Sequence, residues 1–305
     1  MVSKVLKKLK GQRVIHTVFE SNILPDGWKE SLECADLVVT ASEWGAEILR
    51  DALLNTPIEV VPEGIDISQF HHWNRSALLS TPATRERKDE FRFLSIGKLE
   101  DRKGTRELLE AFKMAFSTEK HIKLILKIHN LLDNQYLQNF EYMLPNEIAN
   151  QVTLAKNEAN KDAMSNKEIA DLYRSSHCFV FPSKAEGWGL PLLEAISCGT
   201  PFIATHYSGQ TEYLKHLSQK YSEIPYTMEE INSEDFFKFH KFSGKTRPQW
   251  AKPDVSSLSQ CMRNIYSNYE KLPEEAIANS QLTRKLFSWR ASSETLLDTL
   301  LKYFS

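Results

Sequence analysis

Short apolar runs rich in β-branched and aromatic residues alternate along this chain with longer segments of helical periodicity. Residues 91–96 and 122–128 predict strands, and residues 105–116 and 134–143, which follow them, predict helices. Strands that alternate with helices form parallel sheets with helices on both faces. We therefore predict an α/β protein with two such units, joined by the polar, irregular stretch of residues 62–90.

Further elements follow the same alternation on either side of that stretch. Other predicted strands cover residues 14–19, 36–40, 58–61, 152–154, 179–181 and 201–204. Other predicted helices cover residues 28–34, 44–54, 167–174, 256–269, 274–286 and 289–303. A length of 305 residues suits two domains or one large one.

Two glutamates, Glu186 and Glu194, flank a glycine-rich turn between a predicted strand and a predicted helix. Gly187 and Gly189 allow the turn to approach a ligand closely, and Pro191 suits the first helical position. The first turn of a helix offers free N–H groups and a positive dipole end, which favour a phosphate. Carboxylates would repel that phosphate, so we expect them to face hydroxyl groups. Phosphate and hydroxyls together suggest a sugar nucleotide, although spacing alone also fits an ordinary capped helix with solvated acids.

A basic run, residues 95–104, follows the first strand of the second unit and contains Lys98, Arg102 and Lys103. Ligands of open α/β sheets bind at the carboxyl ends of the strands. Lysines there can neutralise the charge that builds up on a departing diphosphate. A solvated turn is the alternative reading of the same residues.

The Glu-x7-Glu segment resembles the signature of retaining glycosyltransferases of family 4, which have the GT-B fold of two Rossmann-like domains. The resemblance implies that Glu186 lies by the donor sugar and that Glu194 binds the ribose hydroxyls. It also implies that backbone amides at the helix start hold the diphosphate. Those amides would come from Gly189, Leu190 and Leu192, since Pro191 has no N–H.

The basic run resembles the Gly-Arg-Leu…Lys-Gly element of that family, whose two basic residues grip the diphosphate. Lys103 matches the pattern, whereas Lys98 stands where arginine is more common and so keeps the charge without the bidentate fork. The resemblance implies Glu186, Lys103 and Lys98 as catalytic residues. Asn157 matches the place where the family's backbone holds the nucleotide base.

The acceptor side is represented by residues 20–25, which resemble the Glu-x-x-x-(Ile/Leu)-Pro loop of one branch of the family. This assigns Glu20 and Asn22 to the acceptor side. The first unit is shorter than the family's first domain, so either upstream sequence is absent or the enzyme is shortened. We expect a partial N-terminal domain over residues 1–64, a donor-binding domain over 65–285, and a crossover helix over 286–305 that packs on the N-terminal domain.

The expected activity is transfer of a sugar from a UDP- or GDP-sugar to an acceptor, with retention of configuration. The chain has no Asp-x-Asp motif, so we expect no metal and no other cofactor. One alternative is a non-catalytic nucleotide-sugar-binding subunit that needs a partner to complete its first domain. Another is a phosphorylase or an epimerase on the same fold.

The sequence does not identify the acceptor: a glycan, a lipid-linked sugar, a protein and a modified nucleic-acid base all remain candidates. A homo-oligomer also remains a candidate. We expect a cytoplasmic protein, because four cysteines without a Cys-x-x-Cys pair suit a reducing compartment and the start lacks a signal peptide. No apolar run reaches the roughly 18 to 20 residues that span a bilayer. The N-terminal helix carries Lys4, Lys7, Lys8, Lys10 and Arg13. It either covers the first sheet, which we favour, or rests on an anionic membrane surface.

One further segment, residues 236–242, alternates aromatic and basic residues. The following Ser-Gly-Lys-Thr resembles half a phosphate loop, but its first glycine is missing, because Phe239 stands there. We interpret the segment as a loop that packs over the core or against a partner, with base stacking as the alternative.

Overall fold

The computed structural model describes residues 10–53, 55–79, 90–128, 136–156, 164–217 and 223–305. The predicted nucleotide-base contact Asn157 and most of the basic N-terminal helix, residues 1–9, lie outside the described residues.

The first sheet has three parallel strands in the order β1-β2-β3. They are β1 (Val14–His16), β2 (Leu37–Thr40) and β3 (Ile58–Val60), with α1 (Trp28–Leu32) and α2 (Glu43–Ala52) in the two connections. Strand β2 is buried along its whole length because helices cover both of its faces.

The second sheet has six parallel strands in the order β6-β5-β4-β7-β8-β9. Its strands are β4 (Phe91–Gly97), β5 (Ile122–Ile128), β6 (Val152–Leu154), β7 (Cys178–Phe181), β8 (Phe202–Thr205) and β9 (Glu223–Ile224). The order reverses between β4 and β7, so the loops after these strands lie side by side at the carboxyl edge, where α/β proteins bind ligands.

Helices cover the second sheet and continue to the end of the chain, mostly at their predicted places. They are α3 (Arg75–Leu79), α4 (Thr105–Phe116), α5 (Tyr136–Met143), α6 (Asn166–Ser175), α7 (Leu190–Ser197), α8 (Thr211–Leu214), α9 (Glu234–Phe239), α10 (Val255–Asn268), α11 (Pro273–Leu286) and α12 (Trp289–Phe304). Apolar residues of α4 and α10 form the core on one face of the sheet, and residues of α6 and α7 form it on the other.

The stretch of residues 62–90 is more ordered than predicted, because α3 lies within it. Arg75 at the start of α3 is 6% exposed and donates hydrogen bonds to the carbonyls of Tyr173 (3.2 Å) and Arg174 (2.9 Å) and to the hydroxyl of Thr200 (3.2 Å). A buried guanidinium with these partners ties the stretch to the second sheet's helices. The prediction of an irregular linker was therefore wrong for this part.

Residues 236–242 were predicted as a loop, but α9 begins just before them, between two strands that the sequence analysis did not identify. Strands β10 (Tyr226–Glu230) and β11 (Gln249–Pro253) pair antiparallel. Phe236 of α9 packs edge-to-face against Trp250 of β11, with ring centroids 5.1 Å apart. We call this unit, residues 226–253, the hairpin cap.

The chain crosses between the two sheets twice, and the two crossings lie against each other. The amide of Ile65 donates to the carbonyl of Phe287 (2.9 Å), and the amide of Trp289 donates to the carbonyl of Ile65 (3.3 Å). A Cβ on Gly64 would lie 2.4 Å from the Cα of Trp289, so only glycine fits there. After the second crossing, Leu300, Tyr303 and Phe304 of α12 pack under the first sheet.

Candidate active site

The loop between β7 and α7 is wedged between the two sheets. A Cβ on Gly187 would lie 2.5 Å from the Cβ of Val18, and a Cβ on Gly209 would lie 2.1 Å from the carbonyl oxygen of Gly187. Gly189 adopts φ 89°, a left-handed conformation that glycine adopts without strain, and α7 begins directly after it. These glycines let the backbone pack closely enough to bury Glu186.

Glu186 is 5% exposed and pairs with two cations. Its Oε1 lies 2.6 Å from Nζ of Lys103, and its Oε2 lies 3.1 Å from Nη1 of Arg102. The hydroxyl of Ser183 also bonds to the carboxylate. Burial by itself would raise the pKa of Glu186, but the charges of Lys103 and Arg102 lower it to about 2. The group is therefore a carboxylate over the physiological pH range.

Lys103 and Arg102 come from the short 3-10 turn, Asp101–Lys103, which follows β4. Burial lowers the pKa of Lys103, and the neighbouring Glu186 opposes that shift. Nη1 of Arg102 donates to the carbonyl of Ala185 at 2.7 Å, which holds the guanidinium against the Glu186 loop. Both cations thus reach the signature loop from the neighbouring strand's end, as the parallel order predicts.

Arg102 also connects the site to the first unit. Its Nη2 lies 3.5 Å from Oε1 of Glu20 and 3.5 Å from Oε2 of Glu100. From the sequence, Arg102 was predicted only as one member of the basic run, without a role of its own. The sequence shows the charge of Arg102, but it does not show that Arg102 pairs with Glu20 and Glu186, which lie 82 and 84 residues away in the chain.

Glu194 lies on α7 in a much less polar setting. Its Oε2 accepts a hydrogen bond from the hydroxyl of the buried Tyr173 at 3.0 Å. Burial raises the pKa of Glu194 to about 7, and the bond from Tyr173 opposes that rise. Tyr173 belongs to α6, and no local sequence signal pointed to it.

Lys98 and Lys103 line one pocket at the carboxyl ends of β4 and β5, together with Gly97, Thr105 and Phe181. The side chain of Lys98 is 59% exposed, and its Nζ lies 3.6 Å from Oε1 of Glu100. Its placement beside Lys103 brings together the two lysines that the resemblance assigns to the diphosphate.

The predicted amide donors surround the first turn of α7. The carbonyl of Gly189 accepts bonds from the amides of Leu192 (3.1 Å) and Leu193 (3.3 Å). The Leu192 N–H is therefore engaged within the helix, and Leu190 occupies the first helical position.

Glu20 and Asn22 lie where the first unit meets the hairpin cap. The carbonyl of Glu20 accepts a bond from Nε1 of Trp250 (2.6 Å), and Oδ1 of Asn22 accepts one from the amide of Gln249 (2.7 Å). The amide of Asp26 donates to the carbonyl of Lys241 (2.8 Å). The predicted acceptor loop is thus held by a part of the chain more than 200 residues away.

Among the described residues, no group of three or more histidines, cysteines, aspartates or glutamates is arranged to hold a metal ion. No helix in the same part of the chain is long and apolar enough to cross a membrane.

A family model described as "Glycosyl transferases group 1" matches residues 80–234, which is half of the chain and includes the basic run and both glutamates. The chain belongs to this family. D-inositol 3-phosphate glycosyltransferase of Paenarthrobacter aurescens is 28% identical over 169 residues, covering 55% of this chain and 38% of that protein. O-antigen chain mannosyltransferase B of Escherichia coli is 27% identical over 187 residues, covering 60% of this chain and 46% of that protein. The chain thus spans less than half the length of these two relatives.

Solved structures with the same fold extend the likeness to nearly the whole chain. A UDP-forming trehalose-phosphate synthase from Burkholderia xenovorans superposes with TM-score 0.72 at 12% identity, over 99% of this chain and 71% of that one. Anabaena HepE in complex with UDP and glucose superposes with TM-score 0.67 at 15% identity, over 94% of this chain and 70% of that one. The predicted GT-B fold is confirmed.

Proposed function

We propose that this protein transfers a sugar from a nucleotide-diphosphate sugar to an acceptor, with retention of configuration, as family 4 glycosyltransferases do. The observation that carries the proposal is the meeting of Lys103 with Glu186 at the carboxyl edge of the sheet, beside the helix that bears Glu194. Lys103 and the helix N-terminus there suit the diphosphate, Glu186 suits the sugar, and Glu194 suits the ribose.

Each side chain then has a role that its surroundings support. Lys103 and Lys98 stabilise the negative charge that grows on the departing diphosphate, assisted by the amides of Gly189 and Leu190. Glu186 contacts hydroxyls of the donor sugar, and Glu194 holds the ribose. Because Lys103 is buried, its charge is less screened than that of the exposed Lys98, so Lys103 carries the larger share.

A UDP-sugar or a GDP-sugar is the proposed donor class. A bound UDP in Anabaena HepE supports the first, since that protein shares this fold. The mechanism we propose needs no metal, because lysines and helix amides provide the positive charge at the diphosphate site. We propose the cytoplasm as the compartment, which is supported by four cysteines that are all unpaired.

A binding panel tests the proposal. UDP, GDP and their common sugar conjugates are titrated by calorimetry into the parent and into the variants Glu194→Ala and Lys103→Ala. Lys215→Ala, which removes an exposed lysine elsewhere on the surface, is the control for loss of a positive charge. We expect the parent and the control to bind one nucleotide class and both site variants to bind it at least about tenfold more weakly. Equal binding by all four proteins would refute the assignment.

The reaction itself is tested with the donor so identified and a set of acceptors that includes glycans, lipid-linked sugars, proteins and modified nucleic-acid bases. Mass spectrometry distinguishes transfer from hydrolysis, and NMR of the products detects an epimerised sugar and reports the anomeric configuration. An inverted product would reject the retaining mechanism while leaving nucleotide-sugar binding intact.

A further inference from the structure

The cations of the site are already matched by carboxylates. Lys103 and Arg102 both pair with Glu186, Arg102 also lies 3.5 Å from Glu20 and from Glu100, and Lys98 lies 3.6 Å from Glu100. Three cations therefore face three carboxylates. A diphosphate that binds here adds negative charge to a balanced cluster, so it has to displace one of these pairings.

Lys103 is the cation placed to change partners. It lines the pocket at the ends of β4 and β5, and its Nζ also lies 2.6 Å from Oε1 of Glu186. Arg102 has no such freedom, since it is held by the carbonyl of Ala185 at 2.7 Å and by three carboxylates. Ser183 keeps a further bond to the Glu186 carboxylate.

We propose that Glu186 competes with the donor diphosphate for Lys103, and that Arg102 is a positioning residue that retains Glu186 when the diphosphate takes Lys103. The inference rests on the proposed function. In this exchange the buried Glu186 carboxylate keeps Arg102 and Ser183 as partners, so Lys103 can leave without creating an unpaired buried charge, which would be costly.

The exchange predicts opposite effects for substitutions of Glu186 and of Arg102. Glu186→Gln removes the competitor's charge, so Lys103 is released and nucleoside diphosphate binds more tightly, although sugar transfer falls. Arg102→Gln leaves Glu186 with Lys103 as its only cation, which strengthens that pair and weakens nucleoside diphosphate binding.

A double-mutant cycle tests the inference, with calorimetric titration of UDP and of GDP into the full chain. We expect Glu186→Gln to bind about tenfold more tightly than the parent, and Arg102→Gln about tenfold more weakly. In the Glu186→Gln background, Arg102→Gln should change binding by less than about threefold, because there is no carboxylate left for Arg102 to hold. Thermal unfolding confirms that each variant is folded.

Two controls separate the exchange from simpler explanations. Asp101→Asn changes the net charge as Glu186→Gln does, but Asp101 pairs with Lys184 at 2.8 Å, so its binding should match the parent's. Arg102→Lys keeps a cation beside Glu186 and should bind within about threefold of the parent, even where Arg102→Gln folds poorly.

Different failures have different meanings. If Arg102→Gln weakens binding equally in both backgrounds, Arg102 contacts the diphosphate itself and the exchange is wrong. If Glu186→Gln weakens binding, Glu186 is no competitor. If the parent binds neither UDP nor GDP, the proposed function fails and this inference fails with it.

Discussion

Glu186 and Glu194 lie eight residues apart in the chain, yet their surroundings shift their pKa values in opposite directions. Both are largely buried. Two cations lower the pKa of Glu186 to about 2, whereas Glu194 has a single phenol partner and burial raises its pKa to about 7. The loop before α7 meets the basic turn of the neighbouring strand, and the helix interior meets the apolar core. Sequence spacing therefore places the two carboxylates, and tertiary partners decide their protonation.

The largest expected effect concerns the cations around Glu186. At saturating donor, Lys103→Ala should lower turnover by about a hundredfold to a thousandfold, since the charge on the diphosphate grows in the transition state. The same loss is expected with and without EDTA. Lys98→Ala is the matched control and should lose less, because its charge is exposed. Loss of the parent's activity on chelation would disprove the metal-free mechanism.

The next effect concerns the pH dependence of stability. The folded pKa of Glu194 is raised from its ordinary value of 4.5 to about 7, so its contribution to stability is complete below about pH 4.5. That contribution is lost as pH rises through about 7, by about 3 kcal/mol at most. Glu194→Gln cannot show this loss, so the variant gains stability relative to the parent between about pH 5 and pH 8.

Glu186 provides the contrast in the same urea-unfolding experiment. Its folded pKa is lowered, so its contribution is present above its ordinary value of 4.5 and is lost only as pH falls towards 2. The stability difference between Glu186→Gln and the parent should therefore stay constant between about pH 5 and pH 8. Parallel pH profiles for the two variants would show that the glutamates do not differ.

A third prediction concerns the packing that buries the loop. Gly187→Ala would place a Cβ 2.5 Å from that of Val18, so we expect it to lower the free energy of unfolding by about 2 kcal/mol. Gly244→Ala is the matched control: no atom lies within 4 Å of its added Cβ, and a change within about 0.5 kcal/mol is expected. Equal stability of the two variants would mean that the loop is not wedged.

The smallest expected effect tests the single partner of Glu194. Tyr173→Phe removes the hydroxyl that donates to Glu194, so the pKa of that carboxyl should rise further and stability should fall by about 1 kcal/mol. Tyr213→Phe loses an equally buried hydroxyl bond, to the carbonyl of Gly189, without touching Glu194. Carboxyl ¹³C shifts followed against pH would contradict the assignment if both variants titrate alike.

The sequence predicted the parts of this molecule that depend on local pattern. The strands β4 and β5, the helix α4 and the glycine turn before α7 carry periodicity or backbone signals that do not depend on distant residues. The parallel order of β4 and β7 then explains why Lys103 reaches Glu186, a contact that the spacing of neither motif contains.

What the sequence did not predict depends on contacts between distant segments. Arg102 bridges Glu20 and Glu186, and Trp250 of the hairpin cap donates to Glu20 from 230 residues away. Every residue of strand β10 is exposed, so no buried apolar face indicated that it pairs with β11. Arg75 was interpreted as part of a polar linker because its buried carbonyl partners lie about 100 residues further on.

The two paired crossings constrain how the sheets can move relative to each other. The two crossing segments are hydrogen-bonded to each other, Ile65 to Phe287 and Trp289. Because they are joined, they allow the sheets to bend about one axis and resist a twist of one sheet against the other. The hairpin cap joins the sheets at a second place, through Asn22 and Asp26. Any separation of the sheets about the crossings therefore has to break the bonds that hold residues 20–26. Under the proposed function, opening the cleft for an acceptor and releasing these residues are one event.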